Sequence, residues 1–560
     1  MSKRLYFLYL SVICSQLLSA TQKIDDIDLK ITSASKVKQN QRVDLKRKCP
    51  PQKQSQVQIT FDLTTKNIAN TDAQCFVFFV KKGFSFSPYL QKLAATFFPQ
   101  LQAYMKEKKF IGKNKTSLFV PISTKKGIKR LLFLGLGEPK DGKIDIERLR
   151  QATGTLIRLA QKNKFSHIAI VSPDAQLFGV APDYVAKQLV ITLYMAVYQF
   201  NEFITTKDRR LNSTCKITLG ISKKDKKAIK KILPEGAYIG RAVNRARYWV
   251  DLPASHLTPI RLTNDAKAIA KKHGFTITVF DRKKIVELGM GGLAAVSQGN
   301  QDCRFVVMEY KTKKKKADTI AFVGKGITFD SGGLSIKSSK GMSTMKDDMG
   351  GAASVIAAMD ALGYLKPAVN IVCITPLTEN MLSASAIKPG DIVTFYNCKT
   401  AEIKNTDAEG RMVLADGLSY AERHYKPNAM IDLATLTGSC SRALGPFYSG
   451  LFSTNKSFRE KTKKASKISG DRVWRLPMND CYKAAIKSNI ADIQNIGKPK
   501  YKAGATTAAL FLQNFVGKTP WVHLDIAGTA YNVPDVSYYR TDSATGVGVR
   551  LLVELAMNWS

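Results

Sequence analysis

Three short segments in the second half of the chain carry residues that can do chemistry. The first, Val323-Gly-Lys-Gly-Ile-Thr-Phe-Asp-Ser-Gly-Gly-Leu-Ser-Ile-Lys337, sets Lys325, Asp330 and Lys337 on glycine-rich backbone where a buried strand ends at Gly324. Open α/β sheets bind ligands at the carboxyl ends of their strands, so these groups stand where a site would form. The second, Met345-Lys-Asp-Asp-Met-Gly-Gly-Ala-Ala353, places Asp347 and Asp348 just before a small-residue helix start. Helix capping would account for either acid by itself. The third, Asn405-Thr-Asp-Ala-Glu-Gly-Arg-Met-Val-Leu-Ala-Asp416, holds Asp407 and Glu409 two positions apart, which on extended backbone points both the same way. Gly410 lets the chain approach a neighbour closely, and Arg411 opens a helix.

Together the segments supply four carboxylates (Asp330, Asp348, Asp407, Glu409), two lysines and an arginine, and none of the five histidines lies inside them. Clustered carboxylates repel unless cations neutralise them. A carboxylate-rich, histidine-free site suits two divalent ions that polarise a carbonyl and activate a water. A lysine whose ammonium is depressed by neighbouring cations can join the ligand set as a neutral amine. There is no Gly-x-Ser-x-Gly elbow, His-Glu-x-x-His or Walker A sequence, which removes the common serine hydrolase, zincin and P-loop readings.

The strings Val-Gly-Lys-Gly-Ile-Thr-Phe-Asp-Ser-Gly-Gly and Asn-Thr-Asp-Ala-Glu-Gly-Arg resemble those of the leucyl aminopeptidase (cytosol aminopeptidase) family, of which the second is the signature. Glu379-Asn-Met, Lys388-Pro-Gly-Asp391, Ala434-Thr-Leu-Thr-Gly438, Gly470-Asp-Arg-Val-Trp-Arg-Leu-Pro477, Ala491-Asp-Ile-Gln-Asn-Ile-Gly497 and His523-Leu-Asp-Ile-Ala-Gly528 agree with it. The resemblance is strong over residues 240–555, is architectural only over 57–225, and does not reach 1–56. It implies a metallo-aminopeptidase that releases Leu and other apolar residues from peptides with a free N-terminus. Lys325, Asp330, Asp348, Asp407 and Glu409 match the ligands of two divalent ions, Mn or Zn with Mg or Co also accepted, and Asp330 and Glu409 match the bridging ones. Lys337 matches the lysine that polarises the scissile carbonyl, and Arg411 the arginine that holds a bicarbonate acting as general base. Met345, Thr435, Leu436 and Gly438 match positions along the substrate pocket. Asp347 is expected to face outward. The resemblance also implies a homohexamer in the cytoplasm. The alternatives are a preference for Cys-Gly dipeptides within the same chemistry, and a DNA-binding accessory role. Thr545-Gly-Val-Gly-Val-Arg550 departs from the Thr-Gly-Arg-Pro form found in part of the family.

These segments need a scaffold. Over 560 residues, strands alternate with helices in two stretches, which predicts a two-lobed α/β protein. An N-terminal α/β domain with a mainly parallel sheet is expected over 57–225, a linker helix over 226–255, and a catalytic metallopeptidase domain with a central mixed sheet over 256–560. Residues 21–56 are polar and lysine-rich and read as a disordered extension. In residues 1–20 a basic start precedes an apolar run. That fits a signal peptide, implying export, as well as it fits a plain extension. No other stretch could span a membrane.

The net charge is +42, from 86 Lys+Arg against 44 Asp+Glu. It is compatible with a nucleic-acid partner, but the lysines are dispersed and no aromatic side chains are interleaved with them, so a solvated exterior is favoured. The densest run, Lys311–Lys316, falls between strand-like stretches at 304–310 and 319–324, where a hairpin loop is expected. Nine scattered cysteines without a Cys-x-x-Cys exclude a disulfide scaffold and a zinc ribbon, although Cys49 and Cys75 could pair.

Overall fold

β-Branched and aromatic runs bounded by glycine and polar turns build the strands. The computed structural model describes residues 59–559 apart from 87–89, 92–93, 96–97, 125–126 and 206–214. The expected signal segment, the basic extension and Cys49 therefore lie outside the described residues. In the first lobe β1 (Ile59–Thr64), β2 (Cys75–Lys81), β3 (Ser117–Thr124), β4 (Gly127–Gly137), β5 (His167–Val171) and β6 (Cys215–Gly220) form one sheet in the order β1-β6-β5-β2-β4-β3. Every neighbouring pair is parallel except β3–β4. Such strands are covered on both faces, which is why β2 and β4 read as nearly continuous apolar runs. Helices α1 (Ile146–Lys162), begun by an Asp145 cap on the Glu147 amide, and α2 (Pro182–Val197), begun by proline, pack into the core of this lobe.

The charged helix α3 (Lys226–Asp251) lies against α2 and leads out of the first lobe. It stops before Pro253, and Pro259 opens the next helix, Pro259–His273. The second lobe contains β7 (Thr276–Phe280), β8 (Arg304–Tyr310), β9 (Thr319–Gly324), β10 (Gly326–Asp330), β11 (Asn370–Asn380), β12 (Ile392–Thr394), β13 (Thr400–Glu402), β14 (Ala429–Ala434), β15 (Ser449–Phe452), β16 (Val473–Arg475), β17 (Ile493–Gln494) and β18 (Trp521–Asp525). The large mixed sheet runs β16-β15-β18-β14-β9-β11-β8-β7, with β10 also paired to β11, while β12-β13-β17 forms a small separate sheet.

Alternation sorts the central strands onto two faces. On β9, Ile320 and Phe322 enter one core while Ala321 and Val323 enter the other, and β11 and β14 divide likewise. Helix α4 (Gly350–Leu365) covers the first face and α5 (Gly410–Tyr425) the second. The start of α4 approaches very closely: a Cβ on Gly351 would lie 2.0 Å from the Leu433 carbonyl oxygen, and one on Gly324 2.7 Å from the Ala352 Cα. Glycine at both positions lets the helix start press against the ends of β9 and β14. The last helix, α6 (Val549–Met557), packs over α4.

The basic run is not a hairpin loop. Strands β8 and β9 are not neighbours, because β11 lies between them, antiparallel to β8 and parallel to β9. The exposed lysines of 311–316 thus connect two strands that have another strand between them in the sheet. Local sequence can specify a turn, but here the intervening strand arrives about sixty residues later.

Candidate metal centre

Lys325 follows the end of β9, Asp330 ends β10, Asn380 ends β11, Thr435 follows β14 and Asp525 ends β18. Five strand ends thus converge on one edge of the sheet, and the starts of α4 and α5 bring Asp348 and Glu409 to the same place. One oxygen from each of Asp330, Asp407 and Glu409 lies within 4.8 Å of the others. Lys325 Nζ donates to Asp348 Oδ1 at 2.8 Å and to Glu409 Oε1 at 2.9 Å. Lys337 Nζ donates to Asp330 Oδ2 at 2.8 Å and to Asp407 Oδ1. All five expected metal ligands and Lys337 therefore form one continuous cluster.

Two of the carboxylates, Asp330 and Asp348, are held from behind. Asp330 Oδ1 accepts from the Gly332 amide and from Asn380 Nδ2, both at 2.8 Å, and the same Asn380 nitrogen reaches the Thr406 carbonyl at 3.0 Å. Thr435 donates its hydroxyl to Asp348 Oδ1 at 2.8 Å, and its carbonyl accepts from Lys325 Nζ at 3.0 Å. The Asp407 amide donates to Asn405 Oδ1 at 2.7 Å, so Asp407 sits in a turn closed by a side chain. Asp407 and Glu409 thus converge through this turn and not through extended backbone, since Glu409 already has helical dihedrals. Gly410 must lack a side chain: a Cβ there would lie 2.4 Å from Lys325 Cε. Asp348 does not cap α4, whose flanking residue Met349 makes no side-chain cap bond.

The electrostatics are unbalanced. Asp330, Asp348 and Glu409 are almost fully buried, and only Lys325 and Lys337 pair with the four carboxylates. Burial, then the charges of Glu409 and Asp330, push the Asp348 carboxyl well up, with Lys325 opposing. Burial and Glu409 likewise raise Asp330, and burial raises Asp407. Burial works against the Lys325 ammonium, but Asp348, Glu409 and Asp330 outweigh it and hold the group charged. Burial also works against the Lys337 ammonium, and there Asp330 leads the groups that outweigh it. Asp348 Oδ2 and Glu409 Oε2 are buried and have no hydrogen-bond partner among the described residues. A cluster short of positive charge with unused carboxylate oxygens is a donor set that fits divalent cations.

Arg411, the second residue of α5, is buried and donates from Nη1 to the Asn495 carbonyl at 2.8 Å, while its Nε has no hydrogen-bond partner among the described residues. Burial lowers its pKa to about 10 against the pull of Glu409, Asp525 and Asp407. A buried guanidinium with an unused donor suits an anion. Of the expected pocket residues, Thr435 is tied to the centre as described and Leu436 is half-buried against the second core. Gly438 starts the helix Gly438–Leu444, and Met345 is half-buried in a turn packed on β10. Asp347, expected to face outward, is instead half-buried, and burial pushes its carboxyl up to about 7.

Three positioning groups carry no charge signal and escaped the reading of motifs. Asn380 grips Asp330. Asn495 accepts from the Lys404 amide at 2.8 Å and donates to the Asn405 carbonyl at 2.6 Å, shaping the turn before Asp407. Thr437 caps the helix after the pocket wall. All three lie inside stretches that resemble the family, which was the available signal.

Comparison with known proteins agrees with this geometry. The cytosol aminopeptidase family catalytic-domain model matches residues 244–553, and that family's N-terminal-domain model matches 77–207. A probable cytosol aminopeptidase of Chlorobaculum tepidum is 42% identical over 451 residues, covering 78% of this chain and 87% of that protein. One from Chloroherpeton thalassium is 40% identical over 448 residues, covering 77% and 86%. Among solved structures, a mutant of tomato leucine aminopeptidase superposes with a TM-score of 0.79 at 30% identity, covering 90% of this chain and 98% of that one. A bottromycin maturation enzyme in complex with Mn gives 0.75 at 29% identity, covering 87% and 99%.

Proposed function

The chain belongs to the cytosol aminopeptidase family, and on that premise we propose that it is a two-metal leucyl aminopeptidase, releasing Leu and other apolar residues from the free N-terminus of peptides. The observation that carries the reading is the cluster of Asp330, Asp348, Asp407 and Glu409, all but Asp407 buried, which among the described residues is offset by only Lys325 and Lys337. Lys325, Asp330, Asp348, Asp407 and Glu409 would hold two divalent ions, Mn or Zn, with Asp330 and Glu409 shared between them. Bound there, such ions supply a Lewis acid for the scissile carbonyl and a water of lowered pKa.

The remaining chemistry falls to side chains. Lys337 is the more exposed of the two lysines, and its ammonium can donate to the carbonyl oxygen as negative charge develops on it. Arg411, whose Nε has no hydrogen-bond partner among the described residues, would hold an anion, and a bicarbonate held there would supply a general base. Thr435, Leu436, Gly438 and Met345 wall the space for the first side chain, and Leu436 supplies an apolar surface. A homohexamer and a cytoplasmic location belong to the same reading and rest on family membership. Among the described residues no helix is long and apolar enough to cross a membrane.

The test is hydrolysis of leucine amide by the purified protein after chelation and after restoring Mn or Zn, beside Asp407→Ala and Glu409→Ala. Activity that returns with metal and is absent from both variants is expected. A folded protein inert with every divalent metal would overturn the proposal.

A further inference from the structure

Strand β18 ends at Asp525, in register with Ala434 at the end of β14. The Asp525 carboxylate is 1% exposed. Burying a carboxylate is costly unless donors surround it, and here the donors come mainly from one neighbouring segment. Its Oδ1 accepts from the amides of Leu436 at 3.3 Å, Thr437 at 3.4 Å and Ala527 at 3.1 Å. Its Oδ2 accepts the Thr437 hydroxyl at 2.6 Å. That hydroxyl in turn accepts the Cys440 amide at 3.0 Å and so caps the helix Gly438–Leu444.

The segment pinned in this way is the pocket wall. One residue upstream, Thr435 is tied to the metal centre through Lys325 and Asp348. One residue downstream, Gly438 begins the capped helix. The backbone from 435 to 438 is therefore anchored to the metal ligands at one end and to Asp525 at its middle. Leu436 lies between the two anchors in the chain, half-buried against the second core, and its main-chain amide is one of the groups that Asp525 holds. Shifting this segment would move the apolar wall relative to the reacting centre without removing any group that takes part in the reaction.

We propose that Asp525, acting through Thr437, is a positioning residue that sets first-residue specificity by fixing the Thr435–Gly438 wall against the metal centre. The inference rests on the aminopeptidase reading. In Asp525→Asn the amide nitrogen meets the Thr437 hydroxyl in place of an acceptor, and in Thr437→Val the hydroxyl is lost at nearly constant volume.

The experiment measures kcat and KM for leucyl and alanyl p-nitroanilides with the Mn-loaded wild type, Asp525→Asn, Thr437→Val, the double variant and Thr437→Ser. Circular dichroism and size-exclusion chromatography confirm the fold of each. The leucyl-over-alanyl ratio of kcat/KM is expected to fall about tenfold in each single variant, the lower end of what misfitting one methylene in an apolar pocket does. The change should lie in KM more than in kcat. The double variant should match a single one, because both remove the same contact, and Thr437→Ser should keep the wild-type ratio. An unchanged ratio in folded Asp525→Asn or Thr437→Val, or effects that multiply in the double variant, would overturn this assignment alone. A wild type inert on both substrates would overturn the parent reading and this one with it.

Discussion

Lys337 stands between Asp330 and Asp407 and is one of two ammoniums facing four carboxylates. It has two separable duties, donating to a developing oxyanion and offsetting charge when divalent ions are absent. Lys337→Met is expected to lower kcat by about 100- to 1000-fold, as loss of one oxyanion donor does. The same variant should melt lower than wild type in chelator and gain more from added Mn, because the freed carboxylates then depend on the metal for neutralisation. Equal Mn-induced shifts in melting temperature for both proteins would show that Lys337 has no neutralising role. The charged residues that cluster here stood out in the sequence because three segments carrying them occur together and resemble one family's motifs, whereas a lone acid at a helix start reads as a cap. Their manner of convergence was not legible. The two-residue spacing of Asp407 and Glu409 suggests extended backbone, whereas an Asn405-closed turn and the first helical residue bring them together. Side-chain-closed turns of this kind depend on partners such as Asn495, about ninety residues away.

Helix α5 delivers Glu409 and Arg411 to the site and is fastened one turn and a half further on by Asp416. That carboxylate is fully buried and accepts the amides of Leu293 at 2.8 Å and Tyr396 at 3.0 Å. Burial raises its pKa to about 7, against the lowering effect of those amide bonds. The sign follows from proton linkage. Between the unfolded value near 4 and about 7 the native state holds a proton that the unfolded state has released, so the group's contribution to stability is complete below about 4 and is lost as pH rises through about 7. Asp416→Asn removes the titration while nearly preserving shape. The wild type is therefore expected to gain on Asp416→Asn by a few kcal/mol on going from about pH 8 to about pH 5, at about 1.4 kcal/mol per pKa unit. Urea unfolding of both proteins at the two pH values measures it, and a pH-independent difference would refute a raised native pKa. Elements with strong periodicity, such as the strand Thr276–Phe280 and the strand Ala429–Ala434, were legible to the residue. The path between β8 and β9 was not, because the strand that separates them is contributed by a later part of the chain.

At the scale of the molecule the unresolved balance is charge. The chain carries +42, and the lysines of the run 311–316 are exposed. The buried pairs that join distant parts of the chain are of a different kind. Arg550 donates to Asp471 at 2.6 Å, and Lys187 on α2 reaches Glu554 on α6 at 2.7 Å. Arg247 on α3 donates to the Ala544 carbonyl at 2.8 Å and the Met195 carbonyl at 2.6 Å. Buried contacts of this sort are little screened by salt, whereas repulsion among exposed lysines is screened within a Debye length, about 30 Å at 0.01 M and about 8 Å at 0.15 M. A compact state of high net charge is destabilised by its own repulsion. Raising NaCl from about 0.01 M to about 0.15 M is therefore expected to raise the melting temperature by several degrees, most of it early in the titration. If the few surface ion pairs, such as Lys216–Asp62 at 2.7 Å, dominated instead, the same titration would lower it. Calorimetry across the series separates the two. A flat curve would mean that the exposed lysines stand too far apart to repel one another appreciably, even at a Debye length of about 30 Å. A rising one would mean that this protein keeps its fold against the repulsion of its own exterior.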